Sequence, residues 1–137
     1  MKKLFISLTF ILSVTLLFAQ KAEEKELKSL MKELGYSWSE TESTRLRVGE
    51  SAYYWRTFYT GNEYAILTFS EDKRVYDVDL LLYGEDGSLL DKSISGKNFE
   101  KIEFSPSDVT QVKIVLNNYD SSPELVEYKC KFMIFYK

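Results

Sequence analysis

The stretch LVEYKCKFMIFY, residues 125–136, decides the fold. Val126, Tyr128, Cys130, Phe132, Ile134 and Tyr136 occupy alternate positions, with Glu127, Lys129 and Lys131 between them. A period of two is the pattern of a β-strand with one face on a core and the other in water. The same alternation places Val112, Ile114 and Leu116 of VTQVKIVLNN (109–118) inward, with Gln111 and Lys113 outward. In RVYDVDLLLY (74–83), Tyr76, Val78, Leu80 and Leu82 form one apolar face, and Val75, Asp77, Asp79, Leu81 and Tyr83 form the other.

Working outward, further strands are expected at 43–48, 52–59, 63–69, 89–95 and 99–104. Thr60-Gly61-Asn62 and Gly84-Glu85-Asp86-Gly87 supply residues that tolerate positive φ. Residues 95–98, 105–108 and 118–123 are loop-forming clusters rich in Ser, Asn, Asp, Gly and Pro. Ten Tyr, nine Phe and two Trp suit a pleated, half-buried surface. Short strands at regular spacing, without intervening helices, predict a mainly β protein. The expected fold is an antiparallel, jelly-roll-like β-sandwich of about eight strands.

Ahead of the strands, KAEEKELKSLMKELG (21–35) reads as a short amphipathic helix. Leu27, Leu30, Met31 and Leu34 make one apolar stripe, Glu23 and Glu24 suit the first turn, and Gly35 suits the C-terminal cap. This helix is expected to lie across one end or edge of a sheet, with docking to a partner protein as the sharper alternative.

Residues 1–19, MKKLFISLTFILSVTLLFA, have the layout of a secretory signal peptide: Lys2 and Lys3, an apolar run, then Ala19 at the cut. The apolar run is shorter than the roughly 20 residues that span a bilayer. No stable membrane insertion is expected after cleavage. The expected organisation is therefore signal peptide 1–19, helix and linker 20–38, and β-sandwich 39–137, in the periplasm or secreted. Removing residues 1–19 of the 137 leaves 118, enough for one core, and losing Lys2 and Lys3 takes the net charge from −3 to −5.

Composition excludes several functions. There is no histidine, so Ser-His-Asp and Cys-His catalysis and imidazole zinc sites are absent. No basic stripe exists for a nucleic acid. Cys130, the single cysteine, lies mid-stripe on the core side and reads as a buried small hydrophobe. Pairs such as Glu40 with Glu42 and Glu100 with Glu103 leave a small carboxylate hydrolase formally open, but a small sandwich offers little cleft. The protein is not expected to be an enzyme.

Two constellations remain. Tyr53, Trp55, Thr57 and Tyr59 share one strand face, while Ala52, Tyr54, Arg56 and Phe58 share the other. One of these faces must be outside, and an exposed row of Tyr53, Trp55 and Tyr59 suits stacking against sugars. Asp77 and Asp79 project from one face of their strand roughly 7 Å apart, where two hard oxygen donors suit Ca²⁺. A full site would need Asp86, Glu85 or Asp91 to converge. The plain alternative is a solvated acidic face that discourages edge pairing.

Asp77-Val-Asp79-Leu-Leu-Leu-Tyr83, its Gly-Glu-Asp-Gly turn, Ile102 to Pro106, the Val-Lys-Ile-Val strand and the closing strand with Tyr128 together resemble a known family. Residues 48–137 are similar to the bacterial pre-peptidase C-terminal domain and related periplasmic β-sandwich modules. Such modules carry a D-x-D-L-x-L-Y strand followed by a D-x-x-G turn. The resemblance implies a non-catalytic sandwich that assists export, binds a polymeric substrate or binds calcium. Two departures stand out: the module is expected to stand without an attached enzyme, and Gln111-Val112-Lys113 replaces the usual Gly-x-Tyr. The expected role is a stand-alone binding or envelope-associated module for a protein or polysaccharide partner. A calcium-stabilised structural module is the alternative.

Overall fold

The computed structural model describes residues 23–137, so the expected signal peptide lies outside the described residues. One helix, α1 (Glu24–Glu33), precedes eight strands. They are β1 (Ser37–Leu46), β2 (Ser51–Phe58), β3 (Tyr64–Phe69), β4 (Val75–Tyr83), β5 (Leu89–Ser93), β6 (Phe99–Phe104), β7 (Thr110–Ser121) and β8 (Tyr128–Tyr136). They form two four-stranded sheets, ordered β1-β8-β3-β6 and β2-β7-β4-β5. Every ladder is antiparallel. The chain changes sheet at each connection except the β4–β5 hairpin. This is a jelly-roll order, in keeping with the expected antiparallel β-sandwich of about eight strands.

Between the sheets lies the main core. Val112, Ile114 and Leu116 of β7 meet Tyr128, Cys130, Phe132 and Ile134 of β8 there, as the alternation predicted. Phe58 stands edge-on to Tyr64 and Phe104, with ring centroids 4.7 and 5.5 Å away. The Cys130 thiol is buried, and burial pushes its pKa up to about 12, so it is inert.

β3 is buried along its whole length because its sheet is covered on both faces. Ile66 faces the main core, whereas Ala65, Leu67 and Phe69 join Met133 and Phe135 of β8 on the other side. Leu27 and Met31 of α1 close over that second face, with Leu30 and Leu34 beside them. The helix therefore packs on a sheet face and not at the expected edge. Its termination fixes the approach. Gly35 has φ +89, its N–H donates to the Lys32 carbonyl, and the Tyr36 N–H donates to Met31. That is a Schellman motif, and it turns the chain straight into β1. Lys131 on the same sheet pairs with Glu24 of the helix at 3.2 Å and with Glu71 at 2.6 Å.

Three inward assignments fail. Tyr76 is exposed, because register shifts either side of Asp77 place Val75 and Val78 together on the core side. Such a bulge resets the period of two by one residue. Val126 and Tyr136 are also exposed, since Val126 precedes β8 and Tyr136 ends it, beyond the inter-sheet core. β7 continues to Ser121 through the expected loop at 118–121. Asn118 holds this extension with its Nδ2, donating to the Leu46 carbonyl and to Ser121 Oγ, each at 3.0 Å. β1 opens at Ser37, ahead of the expected start of the sandwich at residue 39.

Leu27→Ala removes a fully buried side chain from the helix–sheet layer and is expected to destabilise the protein by about 2–5 kcal/mol. A Cβ at Gly35 meets no atom within 4 Å, so Gly35→Ala costs only the left-handed backbone, about 1–2 kcal/mol. Denaturant unfolding of the two variants measures both values, with the larger loss at Leu27.

Candidate binding face

Because α1 covers the β1-β8-β3-β6 sheet, the outer face of β2-β7-β4-β5 is the one without a helix. Alternation within β2 sends Ala52, Tyr54 and Phe58 to the core and turns Tyr53 and Trp55 outward. Tyr53 is 66% exposed and Trp55 43%. Tyr59, one residue past β2, is also exposed, and its backbone N–H donates to the Tyr64 hydroxyl at 3.0 Å.

Register assembles the rest of the face. Trp55 lies opposite Lys113 of β7, and Lys113 lies opposite Tyr83 of β4. In the next row, Tyr53, Val115 and Leu81 stand side by side. Lys113 Nζ is 5.7 Å from the Tyr53 ring centroid, 5.9 Å from Trp55 and 5.2 Å from Tyr83. A flat apolar platform thus surrounds one ammonium group. Lys113 and Tyr83 were identified from sequence only as outward residues of separate strands. Their joint role depends on which strands are neighbours, and no local pattern encodes that.

The remaining carboxylate pairs are held in structural bonds. Arg56 bridges the sheets at one edge, with its Nε 2.6 Å from Glu40 and its Nη2 3.1 Å from Glu42. Glu100 is buried and accepts from Ser93 Oγ, Ser95 Oγ and the Ser95 N–H at 2.5 Å, while Glu103 is exposed beside Lys101. The groove beside α1 is lined by Lys28, Glu24, Glu71 and Lys131, which pair with one another.

Asp77 and Asp79 do not form the solvated face expected as the plain alternative. Asp79 is only 9% exposed, and Asp77 is half-buried with Oδ1 lacking a hydrogen-bond partner. Burial raises the pKa of both, reinforced for Asp77 by Asp79, Glu100 and Asp120, and for Asp79 by Glu100. Asp86 lies in the turn beyond the far end of β4, where its Oδ1 accepts from the Ser88 N–H and Oγ. Six residues of strand and turn, 80–85, separate it from the nearer member of the pair, Asp79. Among the described residues, no three Asp, Glu, Cys or His are grouped to hold a metal ion.

In the folded chain both aspartates keep their protons to higher pH than in the unfolded chain. Stability tied to them is full below the ordinary carboxylate range, about pH 4, and falls as pH rises through the folded values. Asp77→Asn/Asp79→Asn is therefore expected to raise Tm at pH 7 relative to the parent, and to lose that advantage near pH 3.5. Thermal unfolding across this range, with and without Ca²⁺, measures it. A calcium-dependent rise abolished by the double substitution would instead make the pair a metal site.

No protein-family model matches the chain, and no curated protein matches it significantly. Among solved structures, it is similar to the pre-peptidase C-terminal domain of a collagenase from Bacillus anthracis. That likeness has a TM-score of 0.53 at 11% identity, over 69% of this chain and 87% of that one. It is also similar to PliG of Aeromonas hydrophila, a periplasmic inhibitor of g-type lysozyme. There the TM-score is 0.48 at 4% identity, over 74% of this chain and 86% of that one. The shared feature is the fold: this chain is a β-sandwich like that of the pre-peptidase C-terminal domain.

Proposed function

We propose that the protein is a non-catalytic binding module of the periplasm or extracellular space, and that it holds a polysaccharide on the outer face of β2-β7-β4-β5. The observation behind this reading is the exposure of Tyr53 and Trp55 beside Tyr83 on a rigid sheet. Sugar rings present C–H faces that pack against flat aromatic surfaces, and contiguous exposed apolar area on a sandwich marks a contact site. The carboxylates considered for hydrolysis are engaged elsewhere: Glu40 and Glu42 by Arg56, and Glu100 by Ser93 and Ser95.

The address follows from the expected export signal at residues 1–19. Among the described residues, no helix is long and apolar enough to cross a membrane.

The test is co-sedimentation of the exported protein with insoluble cellulose, chitin and peptidoglycan. Retention on at least one is expected, with affinity lowered on the order of tenfold by Trp55→Ala and by Tyr53→Ala. Both side chains lie outside the core, so Tm should change little. Retention unaltered by either substitution would reject the face. Retention on none, with capture of a protein partner instead, would reject the polysaccharide.

A further inference from the structure

Resting on that reading, we infer that the ligand is an acidic polysaccharide, with a sugar carboxylate seated on Lys113 and its rings stacked on Trp55 and Tyr83. A neutral-sugar platform needs no cation at its centre, yet here one occupies the middle of the row Trp55, Lys113, Tyr83. Its three contacts with rings are within the roughly 6 Å range of cation–π attraction. They position the ammonium without neutralising it. No acidic side chain pairs with Lys113 among the described residues. A long side chain already held in place loses little further freedom when an anion arrives.

Surrounding charges set the direction of the ligand. The row on one side of Lys113 holds Tyr53, Val115 and Leu81, with Lys92 of β5 opposite Leu81. The row on the other side holds Thr57 and Gln111. No acid occurs in either of these rows. Asp79 lies opposite Asn117, four residues along β7 from Lys113, or roughly 13 Å. That exceeds the Debye length of about 8 Å at physiological ionic strength. Lys113 is therefore an available cation, while a polyanion lying along the strands would run onto Asp79 and Asp77. The favoured path crosses the strands. Adjacent strands are about 4.8 Å apart, so Trp55 to Tyr83 spans roughly 10 Å, with the cation midway.

The test uses two forms of one polymer, polygalacturonate and its methyl ester, which differ in the carboxylate charge. The sequence has two tryptophans, so Trp38→Phe leaves Trp55 as the sole reporter. Polygalacturonate is expected to quench Trp55 fluorescence with an affinity at least about fivefold above that of the ester. Lys113→Ala should remove this preference, Lys113→Arg should retain it, and added salt should weaken it. Near-ultraviolet circular dichroism confirms that both variants are folded. Equal affinity for the two polymers, or a preference untouched by Lys113→Ala, would overturn the acidic ligand while leaving the aromatic face standing. Quenching by neither polymer, together with no retention on cellulose, chitin or peptidoglycan, would overturn both. Retention on one of those solids without quenching by polygalacturonate would overturn the acidic ligand alone.

Discussion

The contact of Leu27 and Met31 with Ala65, Leu67, Phe69, Met133 and Phe135 determines what this molecule presents to its surroundings. A two-sheet sandwich has two inner faces, which form the core, and two outer faces, each of which must be polar or covered. Here β3 is apolar on both faces and β8 adds Met133 and Phe135 to the outer one, so their sheet would expose a hydrophobic surface without α1. Burial of each such side chain contributes about 1.5–3 kcal/mol, which makes a short helix worth ordering. Gly35 and the Schellman bonds fold the helix back over the sheet, and the Lys131 ion pairs guide its docking. The opposite sheet is left as the face free to bind.

Specification of that sheet works differently. At one edge, Arg56 on β2 reaches across to Glu40 and Glu42 on β1, where the apolar core gives way to solvent. Partly exposed ion pairs contribute little to stability. Their effect is to fix how the two sheets stack at the rim, which holds β2 and hence Tyr53 and Trp55 at the edge of the platform. The inner face of the same strand packs Tyr54 against Phe132 at 4.9 Å and Phe58 against Tyr64. One strand thus serves the core with one set of rings and the surface with the other.

Much of this was legible in residue order, because local rules and the final fold agree. Alternation in 109–117 and 128–134, the Gly-bearing turns and the stripe Leu27, Leu30, Met31, Leu34 each translate directly into structure. What escaped depends on register. The bulge around Asp77 turned Tyr76 outward, and no residue type at 75–78 marks it. The continuous apolar run Tyr64–Phe69 belongs to a strand buried on both faces, yet sequence does not reveal that α1 provides the second cover. The cluster at Lys113 joins residues 53, 55, 83 and 113, brought together only by the order β2-β7-β4. Cross-strand neighbours of this kind are set by the whole fold.

The exposed rings have no evident role in holding the fold. Tyr53 and Trp55 contribute nothing to either core cluster. Large aromatics on the free face of a sheet invite self-association, a hazard that soluble folds ordinarily suppress with charge. Here a single lysine sits amid the rings, and no acidic side chain pairs with it among the described residues. The aromatic face thus departs from the rule that solvated strands carry polar side chains. Departures of this kind concentrate at functional sites. That favours the binding role proposed for the aromatic face, with α1, the two cores and the Arg56 rim as its scaffold.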